Sequence, residues 1–438
     1  LKNGGVTRIE LEINALSVET YRIPPLVFYF SELRHLVALP NVLVPRFPLA
    51  ASTWSLIPSK VNSIVLHSLD ISGLYDNAPH IWAQLATLFV LNPIYETPFY
   101  MKRLPSTLES IKFATKLEPI DARSLLASLP HTLLHLHLPP LKGASSTTKT
   151  FDLSPFKEIQ TLDIHDFHGI DKTSILQLRQ LQKLSIPVGH GCSIDWTPEM
   201  LLQLPRNLVD LDAYIPDIML PHFHALPPGL RFLHIGSASK SSSKGTMPLM
   251  APEMIKALPR NLTEFVNNAN YSIRYQDCYH LPNTLTHLRV KFLEPWNPGS
   301  VQEHSLPNSI LLFEIRSGDL DLNHAILPSN LKSLVLRNLV PSTAQDLGLP
   351  PSLTKLLVQS QFFEQAFEAQ PNDLDESARE TSTTKLIKLP EQGVPSRTLP
   401  ESLNDLIIHV SSSLPLPLKF TKLRRLTIRF VTSSAHLV

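Results

Sequence analysis

Glycine, cysteine and net charge are all scarce in this sequence, and each shortage argues against a class of protein. Only 14 of the 438 residues are glycine, which argues against glycine-rich phosphate-binding loops. Two cysteines, Cys192 and Cys278, cannot build a disulfide framework and favour a reducing compartment. Because 39 Lys and Arg residues nearly cancel 38 Asp and Glu residues, charge over the whole chain does not favour nucleic-acid binding.

Long apolar runs and a leader sequence are also missing. No uninterrupted apolar run approaches the length of a membrane-spanning helix, and the first residues carry charges where a signal peptide would have an apolar core. The chain begins with Leu1 rather than Met, which is consistent with a fragment of a longer protein. With that reservation, the sequence predicts a cytoplasmic protein without membrane association.

Proline is abundant instead, with 39 residues, many of them in one recurring pattern. The pattern is Leu-Pro-x-x-Leu-x-x-Leu-x-Φ, where Φ is aliphatic or aromatic, and Leu327–Leu336 (LPSNLKSLVL) shows it in full. Close copies begin at Leu104, Leu129, Leu281, Leu349 and Leu399. Along the whole chain the apolar part of the pattern gives about seventeen units, mostly 20 to 28 residues apart, which indicates a solenoid of stacked repeats.

Each unit has a simple physical interpretation. The final Leu-x-Φ alternates between apolar and other residues, so it predicts a short strand with one face buried. The proline fixes its own φ and forces the preceding Leu into an extended conformation, which ends the previous connection and begins the approach to the strand. One unit buries too little apolar surface to offset its ordering entropy, so neighbouring units must cover both of its sides.

The repeats resemble those of the leucine-rich repeat superfamily. The openings Leu306–Ile310 (LPNSI) and Leu399–Leu403 (LPESL) resemble the FNIP-type subclass and the LPX-type repeats of secreted bacterial ubiquitin-ligase effectors. The usual Asn three places after Φ is nearly absent, and so is the Phe-Asn pair of the FNIP class. The resemblance implies a leucine-rich-repeat horseshoe, an α/β repeat solenoid with a concave parallel β-sheet and an irregular convex side.

We expect residues 1–438 to form a single solenoid with two loop insertions, at 237–257 and 361–398. The first contains a Ser/Gly/Lys-rich run, and the second combines an aromatic stretch with an acidic polar run. The second segment allows two interpretations: an inserted loop with a short amphipathic helix at Phe362, Phe363 and Phe367, or a degenerate repeat near Leu386, Ile387 and Leu389. Insertion is the preferred interpretation.

No catalytic or metal-binding constellation stands out. The His-x-x-His spacing of His165 and His168, next to Asp163 and Asp166, lacks the second half of a zinc site. The pair His190 and Cys192 shows no feature that would activate a thiol. We therefore predict a protein that is not an enzyme and needs no cofactor or metal.

The outward strand positions, two, four and six residues after the first core Leu of each unit, are more informative. Early units place histidines there (His35, His67, His135 and His137), and middle units place acidic and aromatic residues. Later units place a basic stripe there, opposed by Glu314. The predicted partner-binding residues on this concave face are Asp210, Asp212, Tyr214, Phe232, Arg289, Lys291, Arg316, Arg337 and Lys355.

These positions predict a monomeric, non-enzymatic module that binds another protein on its concave face. The basic stripe would suit an acidic partner, and the histidines would make binding sensitive to pH. No specific nucleic-acid binding is expected. The resemblance also implies an alternative, the substrate-recognition half of an F-box or effector-type ubiquitin ligase whose adaptor or catalytic part lies outside this chain.

Overall fold

The structure is a computed structural model in which the chain divides into two compact units. Unit 1 is Leu1–Lys240 and unit 2 is Ser241–Val438. The single solenoid over residues 1–438 therefore stays a prediction. The structure describes residues 8–13, 35–40, 59–67, 71–91, 104–113, 120–121, 127–138, 141–142, 152–164, 170–186, 197–215, 217–236, 249–268, 272–290, 306–315, 327–336, 349–358, 402–410 and 424–430.

Unit 1 is built on a ladder of short parallel strands, one from each repeat. The strands of this ladder are β1 (Arg8–Ile13), β2 (His35–Pro40), β3 (Ser63–His67), β4 (Thr87–Leu91), β5 (Ser110–Phe113), β7 (His135–Leu138), β9 (Thr161–Ile164), β10 (Lys183–Ile186), β11 (Asp210–Tyr214) and β12 (Phe232–Gly236). Each strand pairs with the next in this order. A separate two-stranded parallel sheet joins β6 (Ile120–Asp121) to β8 (Leu141–Lys142).

Unit 2 continues the same repeat pattern in its own ladder. Its strands are β13 (Glu264–Asn267), β14 (His287–Val290), β15 (Leu312–Ile315), β16 (Ser333–Leu336), β17 (Lys355–Val358), β18 (Asp405–Val410) and β19 (Arg425–Phe430). All neighbouring pairs are parallel. The predicted α/β repeat solenoid with a parallel sheet is thus confirmed within each unit.

Short helices connect the strands where the sequence predicted an irregular side. The α-helices are α1 (Ile71–Asn77), α2 (Pro79–Trp82), α3 (Lys172–Leu176), α4 (Pro198–Gln203) and α5 (Pro252–Lys256). Two 3₁₀ helices cover Asp217–Ala225 and Tyr275–His280. Prolines and N-caps begin several of them: the side chain of Asp171 accepts a hydrogen bond from the Thr173 N–H, as a helix N-cap does.

Alternation along the strands separates a buried face from an open one. The predicted core residues Leu288, Leu334 and Leu356 are at most 2% exposed, and the same position is buried throughout the described repeats from Ile64 to Leu334. Because successive strand residues point to opposite sides of the sheet, the residues between the core positions form the open face of each unit. The sequence rule for outward positions holds in strands such as β5, β7 and β9, where burial alternates. In β10, β13, β15 and β16 the second outward residue is buried as well: Ser185, Val266, Glu314 and Val335.

In the described repeats that contain the Pro-x-x-Leu pattern, a β-turn at the proline sets the start of the strand. In the pattern Pro-x-x-Leu, the proline carbonyl accepts a hydrogen bond from the N–H of the first core Leu, for example from Leu208 to Pro205 at 3.0 Å and from Leu353 to Pro350 at 3.1 Å. Both prolines are buried. Since proline has no N–H to satisfy, it can be buried at this turn without an orphaned donor.

A second set of contacts links consecutive repeats through the residue just before the first core Leu. Its side chain donates a hydrogen bond to the carbonyl of the preceding repeat's first core Leu: Thr284 to Leu262 at 2.8 Å and Ser352 to Leu331 at 2.7 Å. The hydroxyls of Thr107, Thr132, Ser309 and Ser402 make equivalent contacts to a preceding core carbonyl. The side-chain amide of Gln84 donates to the Val61 carbonyl at the same position. We call the contacts made by Ser and Thr the hydroxyl ladder.

The two predicted insertions fall largely outside the described residues. Residues 361–398 lie outside them entirely, but β17 pairs directly with β18, and Ser402 donates to the Leu353 carbonyl across that gap. Of the segment 237–257, residues 249–257 are described, and they contain α5 with Ile255 buried. Both insertions stay predictions.

Gly229 lies at the ladder position of β12's repeat and has no side chain to donate. An added Cβ would lie 3.7 Å from the Arg206 carbonyl and 4.0 Å from the Leu208 carbonyl, which is ordinary contact distance. We predict that Gly229→Thr adds the hydrogen bond and stabilises the protein by about 1 kcal/mol more than Gly229→Ala does. Chemical denaturation of the three proteins measures the difference, and equal stability of the Thr and Ala variants would contradict the role given to the hydroxyl ladder.

Candidate functional site

The open face of unit 1 carries two rows of side chains that run across its strands. In the first row the paired residues from β5 to β12 are Ser110, His135, Thr161, Lys183, Asp210 and Phe232. In the second row they are Lys112, His137, Asp163, Ser185, Asp212 and His234. Parallel neighbours are about 4.8 Å apart, so each side chain can reach the one on the next strand.

Polar contacts join neighbouring strands along both rows. Nδ1 of His135 lies 3.0 Å from Oγ1 of Thr161, and Nδ1 of His137 lies 3.0 Å from Oδ2 of Asp163. The Lys183 ammonium donates to Oδ2 of Asp210 at 2.6 Å. The His137 and Asp163 side chains are only 20% and 19% exposed, so solvent screens their interaction less than it would on an open surface.

Asp212 is the carboxylate that this arrangement perturbs. Burial raises the pKa of Asp212 above its ordinary value of 3.8; His234 opposes the shift, while the negative charges of Asp210 and Asp163 add to it. Lys183 also opposes it, but its ammonium donates a hydrogen bond to Asp210. A partly buried carboxylate near two others would gain from a positive charge brought by a partner.

The other predicted residues of unit 1 lie beside Asp212. Asp210 and Phe232 pair across adjacent strands in the first row, and both are partly exposed. Tyr214 is the last residue of β11, four positions after Asp210 on the same strand. Four of the predicted binding residues, namely Asp210, Asp212, Tyr214 and Phe232, therefore come from two adjacent strands.

In unit 2, Arg289 of the predicted basic stripe forms an ion pair with a buried carboxylate. Nε of Arg289 lies 2.6 Å from Oε2 of Glu314, whose side chain is 3% exposed. These residues are paired on β14 and β15, so the ion pair crosses adjacent strands. A buried carboxylate needs such a partner, which means that much of the Arg289 charge is used within the protein.

The rest of the basic stripe is only partly within the described residues. Lys291, Arg316 and Arg337 lie outside them. Lys355 is exposed, and the residues paired with it on the flanking strands are Ser333 and Asp405. In the row that holds Arg289 and Glu314, the following residues are Val335, Leu357 and Ile407, so this row turns apolar rather than basic.

Other reactive groups give no sign of catalysis in the described part of the chain. Burial, with a smaller contribution from Asp277, raises the pKa of the Cys278 thiol far above its usual range, which makes the thiol unreactive. No group of three or more His, Cys, Asp or Glu residues that could hold a metal occurs among the residues described, and no helix there is long and apolar enough to cross a bilayer. Of the sequence cluster Asp163–His168, only Asp163 and Ile164 are described.

Sequence reasoning overlooked three features of these surfaces. Lys112 and Lys183 occupy outward positions, and the same spacing rule that identified Asp210 finds them. The hydroxyl ladder had a signal too, the Ser or Thr at the fourth place of the pattern. The burial of Glu314 had none, because a charge in an outward position is normally exposed.

We predict that Arg289→Ala destabilises the protein by about 1–3 kcal/mol, because it removes a charged hydrogen-bond donor from the buried Glu314 carboxylate. The double variant Arg289→Met, Glu314→Leu is expected to recover most of this loss. The next residues in the same row, Val335 and Leu357, are apolar and can pack against the new side chains. Chemical denaturation of the single and double variants measures both effects. A single variant within about 0.5 kcal/mol of the wild type would contradict the structural role of Arg289.

We predict that Asp212→Asn stabilises the protein at pH 7. The raised pKa of Asp212 means that the folded state holds its proton more tightly than the unfolded state, so its contribution to stability falls as pH rises from about 4 through the folded pKa. The advantage of the Asn variant should therefore shrink between pH 7 and pH 4. Thermal unfolding midpoints of both proteins at pH 7 and pH 4 test this. A stability advantage of the Asn variant that grows on acidification would contradict a raised pKa of Asp212.

Comparisons with known proteins complete the description. No protein-family model matches the sequence, and no curated protein does either. Similar solved structures include CroV588, described as a novel circular LRR protein, at 15% identity over 91% of this chain with a TM-score of 0.36. The LRR protein LIC12759 of Leptospira interrogans is similar at 15% identity over 75% of this chain and 90% of its own, with a TM-score of 0.34. The functional domain of InlJ from Listeria monocytogenes is similar at 15% identity over 81% of this chain and 63% of its own, with a TM-score of 0.34.

The match spans 53% of the CroV588 chain, about half its length. With TM-scores this low, the assignment of the fold depends on the strand ladders and buried positions of the chain itself. Of these proteins, CroV588 and LIC12759 are described as LRR proteins. The FNIP-type or LPX-type subclass stays a prediction.

Proposed function

We propose that this chain is a non-enzymatic protein–protein interaction module that binds its partner on the open face of the strand ladder. Repeat solenoids present one side chain per repeat at regular spacing, which suits them to binding extended surfaces. In unit 1 the open face offers charged, aromatic and imidazole groups in two aligned rows.

The observation that carries this proposal is the environment of Asp212. Its carboxylate is partly desolvated beside the negative charges of Asp210 and Asp163, and the Lys183 ammonium nearby donates its hydrogen bond to Asp210 instead. Such a group lowers the stability of the free protein at neutral pH. A cationic group from a partner would offset that cost through a charge-assisted hydrogen bond.

A partly exposed aromatic side chain on the strand adjacent to Asp212 supports the same surface. Phe232 lies beside Asp210 on the adjacent strand and is partly exposed, so a partner can cover its ring. Tyr214 ends the strand that carries both aspartates. Aromatic residues are enriched in protein–protein interfaces relative to the rest of the surface.

Unit 2 offers a second surface for which the acidic-partner proposal stands. Lys355 is exposed on β17, and Lys291, Arg316 and Arg337 follow the ends of β14, β15 and β16 in the sequence. Arg289 contributes less charge to this surface because it pairs with Glu314. Monomeric state, cytoplasmic location and the ubiquitin-ligase alternative stay predictions.

A binding experiment with paired variants tests the proposed face. The full chain is immobilised, partners are captured from lysate and identified by quantitative mass spectrometry, and the affinity of the most enriched protein is then measured. We predict that Asp212→Asn combined with Phe232→Ala weakens that binding at least about tenfold, the loss expected when two contact residues are removed.

The matched control combines Glu158→Gln with Leu202→Ala, which changes one acidic and one apolar residue, both exposed and outside the strands. The control should bind within about twofold of the wild type, and thermal unfolding confirms that both variants are folded. If the control lost binding and the open-face variant kept it, the partner would bind elsewhere and the proposal would fail.

A further inference from the structure

Two side-chain contacts join β7 to β9 on the described part of the open face, and a histidine of β7 makes each of them. His135 contacts Thr161 and His137 contacts Asp163, each through Nδ1 at 3.0 Å. Both histidines are partly exposed, so protons can reach them from solvent. Imidazoles are the side chains whose unperturbed titration falls between pH 5 and 8.

Both contacts are compatible with either charge state of the imidazole. A carboxylate accepts a hydrogen bond from an Nδ1–H whether or not Nε2 is also protonated, so His137 can gain a charge without leaving Asp163. The Thr161 hydroxyl can donate to a bare Nδ1 or accept from a protonated one. Protonation therefore changes the charge of the face without breaking its geometry.

The groups facing these histidines come from both flanking strands. On β5 they are Ser110 and Lys112, whose ammonium lies 5.1 Å from the centre of the Phe89 ring. On β9 they are Thr161 and Asp163. Beyond β9, Lys183 pairs with Asp210, and Asp212 lies in the second row.

When all their carboxylates are ionised, the lysines and aspartates on these strands nearly balance. On the described open face from β5 to β11, two lysines, Lys112 and Lys183, stand against three aspartates, Asp163, Asp210 and Asp212. The net charge is therefore −1 with neutral imidazoles and +1 when His135 and His137 are both protonated. Because the net charge of this face is small, protonation of the two imidazoles reverses its sign.

We propose that His135 and His137 make the open face of unit 1 a pH-responsive binding surface, which favours cationic segments of a partner at neutral pH and anionic ones under acidic conditions. This inference rests on the proposed function, because a change of surface charge regulates binding only where binding occurs. It adds a regulatory property to the same face.

Two defined probes of opposite charge test the inference without the natural partner. Fluorescent ten-residue oligolysine and oligoglutamate peptides are titrated with the full chain at pH 7.5 and pH 5.5 at low ionic strength, and their affinities are measured by anisotropy. We expect the ratio of oligoglutamate to oligolysine affinity to rise on acidification. His135→Gln combined with His137→Gln should reduce that rise about fivefold, since two nearby charges no longer appear.

Two exposed histidines outside the strands provide the matched control. His80 lies in α2 and His224 in the 3₁₀ helix Asp217–Ala225, so His80→Gln with His224→Gln removes the same number of imidazoles from the chain. The control should keep the full pH-dependent rise. An equal reduction in both variants, or none in the variant of His135 and His137, would overturn the inference. That result would leave the partner-binding test above unaffected, because that test is made at a single pH with other residues.

Discussion

One backbone carbonyl in each repeat accepts two N–H groups from the next repeat, and the structure depends on this contact. In unit 1 the Gln182 carbonyl accepts from Val209 at 2.8 Å and from Asp210 at 3.0 Å; in unit 2 the Thr286 carbonyl accepts from Leu311 and Leu312 in the same way. This contact precedes every strand pair from β3 to β12 and from β13 to β19. It fixes the register, and in a parallel sheet a slip of one residue would exchange the buried and open faces.

The proline turn and the hydroxyl ladder act on that same register. The turn places the first core Leu, and the side chain just before it binds the carbonyl of the repeat below, so backbone and side chain define one spacing. The repeat of Thr284 shows both: the Leu285 N–H donates to the Pro282 carbonyl at 3.0 Å, and the Thr284 hydroxyl contacts the Leu262 carbonyl of the preceding repeat at 2.8 Å. The buried residues then occupy equivalent positions in successive strands, as the paired registers show. The open face is the consequence, and its chemistry can vary while the core stays constant.

Most of this architecture could be predicted from the sequence, because period and proline placement are local signals. The strand positions, the buried Leu pairs and the outward rows all follow from the ten-residue pattern. Contacts between side chains were harder to predict from the sequence than the strand positions. The sequence shows Arg289 and Glu314 as charges on neighbouring units, but only the register places them 2.6 Å apart, and only packing shows that Glu314 is buried. In the same way, Asp212 differs from an ordinary surface carboxylate mainly because burial raises its pKa, and Asp210 and Asp163 add to that shift. Its burial and its distance from Asp163 are set by the fold.

Spin-label distances along the first row of unit 1 test the central claim, that each repeat adds one strand to a parallel ladder in register. Pairs of labels would join Ser110 to Lys183, to Asp210 and to Phe232, which lie three, four and five strands away. At about 4.8 Å per strand, the backbone separations should rise in steps, to about 14, 19 and 24 Å. Distances that fail to increase in this order would contradict the ladder, and with it the open face on which the proposed binding depends.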